Sequence, residues 1–508
     1  VWIPDGNVED QALVSFVLNS VVSRSDINYA VGQLNSPIQT VWDGRLIRVD
    51  LNVLCPFDGG KDLLETQKIW DGMFNPYFLL EKQASARVAG RRLHRRVEVE
   101  PYVADDGKTY DYEYQDVDVE TLLDEARVFG PHIDVDAGAG LQAHTLSQNP
   151  IVWCQSLYSQ ALTSADGGLY YKFMDIQAAP VDKDGKKTQS DQEFWLSRLG
   201  VSEDLVDTLR ADQRVAMARS NVTAKPRRID VFNRPSRSGN NQGLIAITQD
   251  MFDADYDTAA DPLLNLLEFE AAGREVLFER NNGHIGYILF DGDGNLVAEA
   301  PPQLVTDHTI PSPHTARLQA AISCIRCHGV GEDQGWKPFD NDVKQATDSF
   351  MNVYGEQSAD RDGLTIAETL QKLARLYSGS LDKPIRRAKE DHVEAIIRSV
   401  AGTAVKEDGT PWDFKDVSAA LAERFAYYDY TPVTPQKASL ELGYRVDDDQ
   451  AAVAKINEVL GLLEADRSTG IIPEDVRMGL LKMNIPINRF QWELIYADAA
   501  MRAAANSN

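Results

Sequence analysis

The chain has 508 residues, more than one ordinary hydrophobic core accommodates, so at about 150 residues per domain it should divide into about two to four packed units. Hydrophobic residues at 43%, charged residues at 25%, 34 glycines and 22 prolines exclude disordered, collagen-like and coiled-coil classes. Its 51 basic and 78 acidic residues leave a net charge of −27, a field that repels phosphate backbones and argues against nucleic acid as a partner.

Apolar runs such as 11–22 are broken by serine and asparagine and fall short of the roughly 18 residues that span a bilayer, so no transmembrane segment is expected. The chain begins at Val1 without a basic-then-apolar leader, which fits an exported protein whose signal has been removed and equally a trimmed chain. Val8, Leu13, Val14, Val17, Leu18, Val21 and Val22 predict an amphipathic helix over 8–22, and 46–51 alternates at period two as a strand does. An arginine cluster (Arg87, Arg91, Arg92, Arg95 and Arg96, with His94) precedes an acid-rich stretch over 105–136. The two read as solvated, mutually neutralising faces in preference to a docking patch. Residues 152–171 suggest a helix followed by a strand, and helical spacing returns at 192–198 and 203–214.

The basic, turn-rich segment 225–241, KPRRIDVFNRPSRSGNN, reads as a long surface connection. Strands are predicted over 274–279 and 285–290, the second entering a DGDGN turn and then 296–298, which makes a hairpin. DGDGN resembles the start of a calcium loop, but the twelfth position counted from Asp291 is Pro302, which has no side-chain oxygen to offer. The runs at 358–363 and 466–470 likewise lack carboxylates at several ligand positions. After Pro313 helices are predicted over 315–327, 365–377, 385–400, 414–427, 436–442, 450–463, 474–481 and 489–504. Thr434 and Pro435 form an N-cap and first turn, and Gly443 stands where a C-terminal cap belongs.

Of the four cysteines, Cys55 and Cys154 are isolated and are either a disulfide or two buried thiols. Cys324 and Cys327 are three apart and followed at once by His328. This C-x-x-C-H pattern is that of covalent c-type haem attachment. On a helix, residues i, i+3 and i+4 share a face, so two thiols can bond the haem vinyl groups while the imidazole reaches the iron as proximal ligand. With four cysteines and eight histidines in 508 residues, chance placement would give the pattern in roughly one such chain in two thousand. A zinc site would need a distant fourth ligand, Cys55 or Cys154. A thiol-redox motif normally opens a helix after a strand, whereas the apolar-periodic segment 316–322 leads into this one. Haem is therefore favoured, and covalent haem argues for a periplasmic or extracellular location.

Candidates for the sixth iron ligand are His392, His314 and Met351, with Met478, Met483 and His308 beyond them. Plainer readings compete: Met351 beside Phe350 suits a core, and His392 lies in a charged helix where it can face water. An open iron is the remaining option.

The chain resembles a family of large secreted bacterial proteins that carry a single c-type cytochrome domain in the C-terminal half and whose function is uncharacterised. The likeness runs through Leu34-Asn35-Ser36, the 46–51 element, the 273–278 element, Asn282-Gly283, Gly286-Tyr287, Gly294-Asn295 and the run from Ser323 through the haem motif to Gly329. It implies export and haem and implies no settled substrate or activity.

The expected architecture is α+β: a mixed N-terminal region with strands and hairpins, then an all-α C-terminal region containing a c-type haem module. The units are an α/β region over 1–150, an α+β region over 151–313, a helical haem module over 314–400 and a helical region over 401–508. Three functions follow: electron transfer through one haem c to a redox partner protein, a haem enzyme of peroxidase or oxygenase type acting on a small-molecule substrate, and a haem-bearing structural component that self-assembles as a homo-oligomer. A carrier needs only about 100 residues around its haem, which leaves most of the chain for docking or scaffolding. No nucleophile elbow, phosphate loop or His-x-x-x-His pair supports hydrolase chemistry.

Overall fold

The computed structural model describes residues 1, 3, 6–41, 44–56, 61–72, 94–103, 109–116, 154–164, 168–201, 211–217, 227–234, 243–251, 271–301, 304–305, 318–328, 335–336, 381–400, 408–410, 415–416, 421, 432–442, 448–465, 481, 483–487 and 492. The architecture is mixed α+β, with antiparallel sheets and several helices. The first helix, α1 (Val8–Val17), starts where the Asn7 side chain accepts from the Glu9 amide at 2.7 Å. It continues into a π-helical turn, Leu18–Val22, closed by the Ser23 amide on the Leu18 carbonyl at 2.7 Å. Strands β1 (Ile38–Val41) and β2 (Leu46–Val49) pair as a hairpin. The strand predicted over 46–51 stops early because Asp50 caps helix α2 (Leu51–Leu54), accepting from the Asn52 amide at 3.0 Å.

Helix α3 (Lys61–Gly72) follows, and then a long ladder of β3 (His94–Val103) with β4 (Thr109–Asp116). That ladder places His94, Arg95 and Arg96 opposite Asp116, Gln115 and Tyr114, so part of the basic cluster lies across from part of the acid-rich stretch. Arg87, Arg91 and Arg92 lie outside the described residues. Helices α4 (Cys154–Ala161) and α5 (Tyr170–Phe173) replace the helix-then-strand order expected over 152–171. Helix α6 (Asp191–Arg198) opens on a reciprocal cap between Ser190 and Glu193.

The largest sheet is a six-stranded antiparallel meander in chain order: β5 (Gln213–Met217), β6 (Arg227–Asn233), β7 (Leu244–Asp250), β8 (Gly273–Glu279), β9 (Ile285–Asp291) and β10 (Leu296–Val297). The DGDGN run is the β9–β10 turn, with the Asp291 side chain accepting from the Asn295 amide at 2.8 Å. Two expectations fail here. The helix predicted over 203–214 does not extend to its end, since Gln213 and Arg214 begin β5, and 203–210 lie outside the described residues. The predicted surface connection over 225–241 contains β6, which is buried along most of its length and lies between β5 and β7.

Charge misled that reading because the basic residues are paired inside the protein. Arg227 meets Asp250 at 2.6 Å, Asp230 pairs with Arg214 and lies 3.3 Å from Arg228, and Gln249 donates to Asp230 at 2.7 Å. Arg214, Arg228 and Asp230 are fully buried.

Helices α7 (Ile322–His328), α8 (Asp382–Val400), α9 (Pro435–Glu441) and α10 (Asp449–Ala465) follow. Thr434 caps α9 as expected, accepting from the Lys437 amide at 3.1 Å, while Gly443 lies outside the described residues. Among the described residues beyond 313 there is also a β-bridge between Val433 and Ile487, so helices are not the whole of that region. One apolar core joins residues of α1, α4, the six-stranded sheet, α7 and α8. Among the described residues no helix is long and apolar enough to cross a membrane.

Removing Asp230 would take a buried carboxylate partner from Arg214 and Arg228, and breaking a buried ion pair costs about 3–5 kcal/mol. Asp230→Ala should lower the urea-unfolding free energy by that amount, and a loss below about 1 kcal/mol would contradict the pairing.

Candidate functional site

Helix α7 carries the haem-type motif. The helix predicted over 315–327 starts only at Ile322, because 318–320 runs beside 298–300: the Ala300 amide bonds the Leu318 carbonyl at 2.8 Å, Gln319 bridges Glu299, and Ala321 takes a φ of 71°. A bridge and a turn therefore lead into the motif over 318–321, so the helical lead-in that counted against a thiol-redox reading is not found there, while 315–317 lie outside the described residues. Cys324 is the third residue of α7, with Cys327 and His328 three and four positions on, so the three share a helical face. Cys324 is 2% exposed and belongs to the main core.

His328 is half-buried, and its Nδ1 lies 3.3 Å from the Gly335 carbonyl. A carbonyl only accepts, so Nδ1 carries the hydrogen and the lone pair sits on Nε2. This is the tautomer of an imidazole prepared to bind a metal through Nε2. Gly335 has a φ of 83°, and a Cβ there would stand 3.3 Å from His392 Cδ2 and 3.5 Å from the His328 carbonyl oxygen. The next residue, Trp336, is 4% exposed, and its indole N–H has no acceptor among the described residues. A buried indole N–H normally has one. A carboxylate on a group bound beside α7 would satisfy it.

His392, expected in a charged helix where it can face water, is instead 3% exposed on the inner face of α8. Its Nδ1 lies 3.2 Å from the Gly283 carbonyl, and its ring meets that of His284 edge-on with centroids 6.0 Å apart. His314, Met351, His308 and Met478 lie outside the described residues, and Met483 is exposed.

His284, which the sequence did not single out, sits at the end of the Arg280–His284 turn. Its Nε2 lies 3.0 Å from Asn28 Oδ1 and 3.0 Å from Ser399 Oγ, whereas Nδ1 has no partner among the described residues. The Asn28 oxygen can only accept, which places the hydrogen on Nε2. Burial, then His392, then Arg280 hold the His284 pKa well below the usual imidazole range. Asn282-Gly283 entered the sequence reading only as part of the family likeness, which assigned no chemistry to this turn.

Cys55 and Cys154 are buried thiols not joined in a disulfide, the second of their two alternatives. Among the described residues no three His, Cys, Asp or Glu side chains gather to hold a metal ion, so the zinc reading gains no fourth ligand there. No family model, curated protein or solved structure matches the chain.

Because native His284 resists protonation, the unfolded chain binds more protons below the ordinary histidine pKa of about 6.5. Stability should therefore fall as pH drops from about 7 to about 5, and His284→Gln should flatten that slope in thermal unfolding. Equal slopes for the two chains would contradict the buried neutral assignment.

Proposed function

We propose that the chain is an extracytoplasmic monohaem c-type cytochrome acting in electron transfer, with haem c bonded to Cys324 and Cys327 and His328 as proximal ligand. The observation that carries this reading is the state of His328: it ends the C-x-x-C-H helix with Nδ1 held by the Gly335 carbonyl and the lone pair on Nε2. When bound, haem supplies a one-electron couple whose potential the surrounding protein tunes. The two thiols would tether the group, His328 would orient through Gly335, and Trp336 would offer its indole N–H to a haem carboxylate. Protein side chains already cover Cys324, so a haem bonded there would have to displace part of that packing. The same burial weighs against a thiol-redox role, since reactive cysteines are partly exposed.

Covalent attachment of this kind is carried out outside the cytoplasm, which supports export to the periplasm or beyond. The net charge of −27 favours a redox partner protein that presents a basic face. A haem enzyme with an open iron is the second reading, and it is separated by one reagent. Reduced protein with sharp α and β bands unmoved by carbon monoxide is an electron relay; a shifted Soret band identifies an open iron and a small-molecule substrate.

In chain produced with c-type haem maturation, His328→Ala should lose the wild-type haem spectrum, and an unchanged spectrum would defeat the proximal assignment. In the Cys324→Ala/Cys327→Ala double variant any haem should extract into acid acetone, and haem that stays with the protein would place its attachment elsewhere.

A further inference from the structure

Resting on the haem reading, we propose that His392 is a positioning residue for His328, holding the Gly335 backbone on the proximal side, and does not fill the sixth coordination position. The geometry of three contacts carries this. First, His328 Nδ1 faces the Gly335 carbonyl at 3.3 Å, so Gly335 marks the side of the imidazole away from Nε2. The iron of a haem bound through Nε2 lies across the ring, and a sixth ligand lies farther still in that direction. Second, His392 packs against Gly335 itself, with Cδ2 at 3.3 Å from where a Cβ would be. His392 therefore stands behind the proximal loop, on the Nδ1 side.

Third, the His392 ring is fixed from its other end. Its Nδ1–H meets the Gly283 carbonyl at 3.2 Å, and Gly283 is pressed onto α8 so closely that a Cβ would stand 2.7 Å from the Asp391 carbonyl oxygen. Beyond it the His284 ring packs edge-on, tied at 3.0 Å to Asn28 and to Ser399. A ring braced on both sides can keep the Gly335 carbonyl where His328 Nδ1–H needs it. That hydrogen bond raises the basicity of the iron ligand and so favours the ferric state. Loosening it should move the reduction potential upward.

The test uses the full chain with haem attached and compares His392→Ala, His392→Gln and wild type by reduction potential and by carbon monoxide response. The expected result is that all three share one ligation state, the Ala variant has a higher potential, and the Gln variant, whose amide can still donate to the Gly283 carbonyl, returns most of the way to wild type. Gly335→Ala, which drives a methyl against the His392 ring, should shift the potential in the same direction and serves if His392→Ala does not fold. A gas-reactive iron created only by His392 substitution would make His392 the sixth ligand, overturning this inference while leaving the haem reading intact. Unchanged potentials in His392→Ala or in Gly335→Ala would also overturn it. Wild-type chain without covalent haem would instead defeat the haem reading, and this inference with it.

Discussion

Helix α8 can lie against the hairpin turn at 280–284 only because residue 283 has no Cβ and the buried polar groups around the turn are almost all bonded. Gly283, at a φ of 84°, brings its backbone within contact of the Asp391 carbonyl and Ala395. Asn282 donates to the Asn19 carbonyl at 2.9 Å, Asn28 donates to the Asn282 carbonyl at 2.7 Å, and Arg280 donates to the Ser20 and Ser23 carbonyls. Ser15 on α1 donates to the Ser399 carbonyl on α8. Each such group left unbonded would cost about 1–3 kcal/mol. The seam thus locks α1, the six-stranded sheet and α8 into one relation, and His392 and Gly335 take their positions from it.

In the meander, buried carboxylates face arginines: Asp230 meets Arg214 and Arg228, Asp250 meets Arg227, and Glu279 is held by both the Leu244 amide and Arg387, whereas elsewhere buried Asp191 pairs with Lys187 and Glu441 accepts from the Trp492 indole at 2.6 Å. At the candidate haem site His328 and His392 each turn Nδ1 to a backbone carbonyl, that of Gly335 and that of Gly283. A carbonyl draws less strongly on the Nδ1 proton than a carboxylate would, so His328 is oriented without being pushed toward an anionic ligand.

Local rules were the legible part of this chain. The helical spacing of 8–22, the DGDGN hairpin, the helix over 385–400 and the Thr434 cap all follow from a few neighbouring residues and appear where expected. What was illegible depends on partners far away in sequence. Arg227 and Arg228 look like loop residues until Asp250 and Asp230 neutralise them on a buried strand. His392 looks solvent-facing among Lys389, Glu390 and Glu394 until the Gly283 turn covers it. The haem motif was read from five residues, whereas Gly335, Trp336 and His284 acquire meaning only once folding brings them to His328 and His392.

The most direct test of the haem assignment is peptide mass mapping of chain produced with c-type haem maturation. The account predicts that the peptide containing Cys324, Cys327 and His328 carries the added mass of one haem, and that peptides containing Cys55 or Cys154 carry none. An unmodified Cys324–His328 peptide from protein that is folded and fully recovered would contradict it.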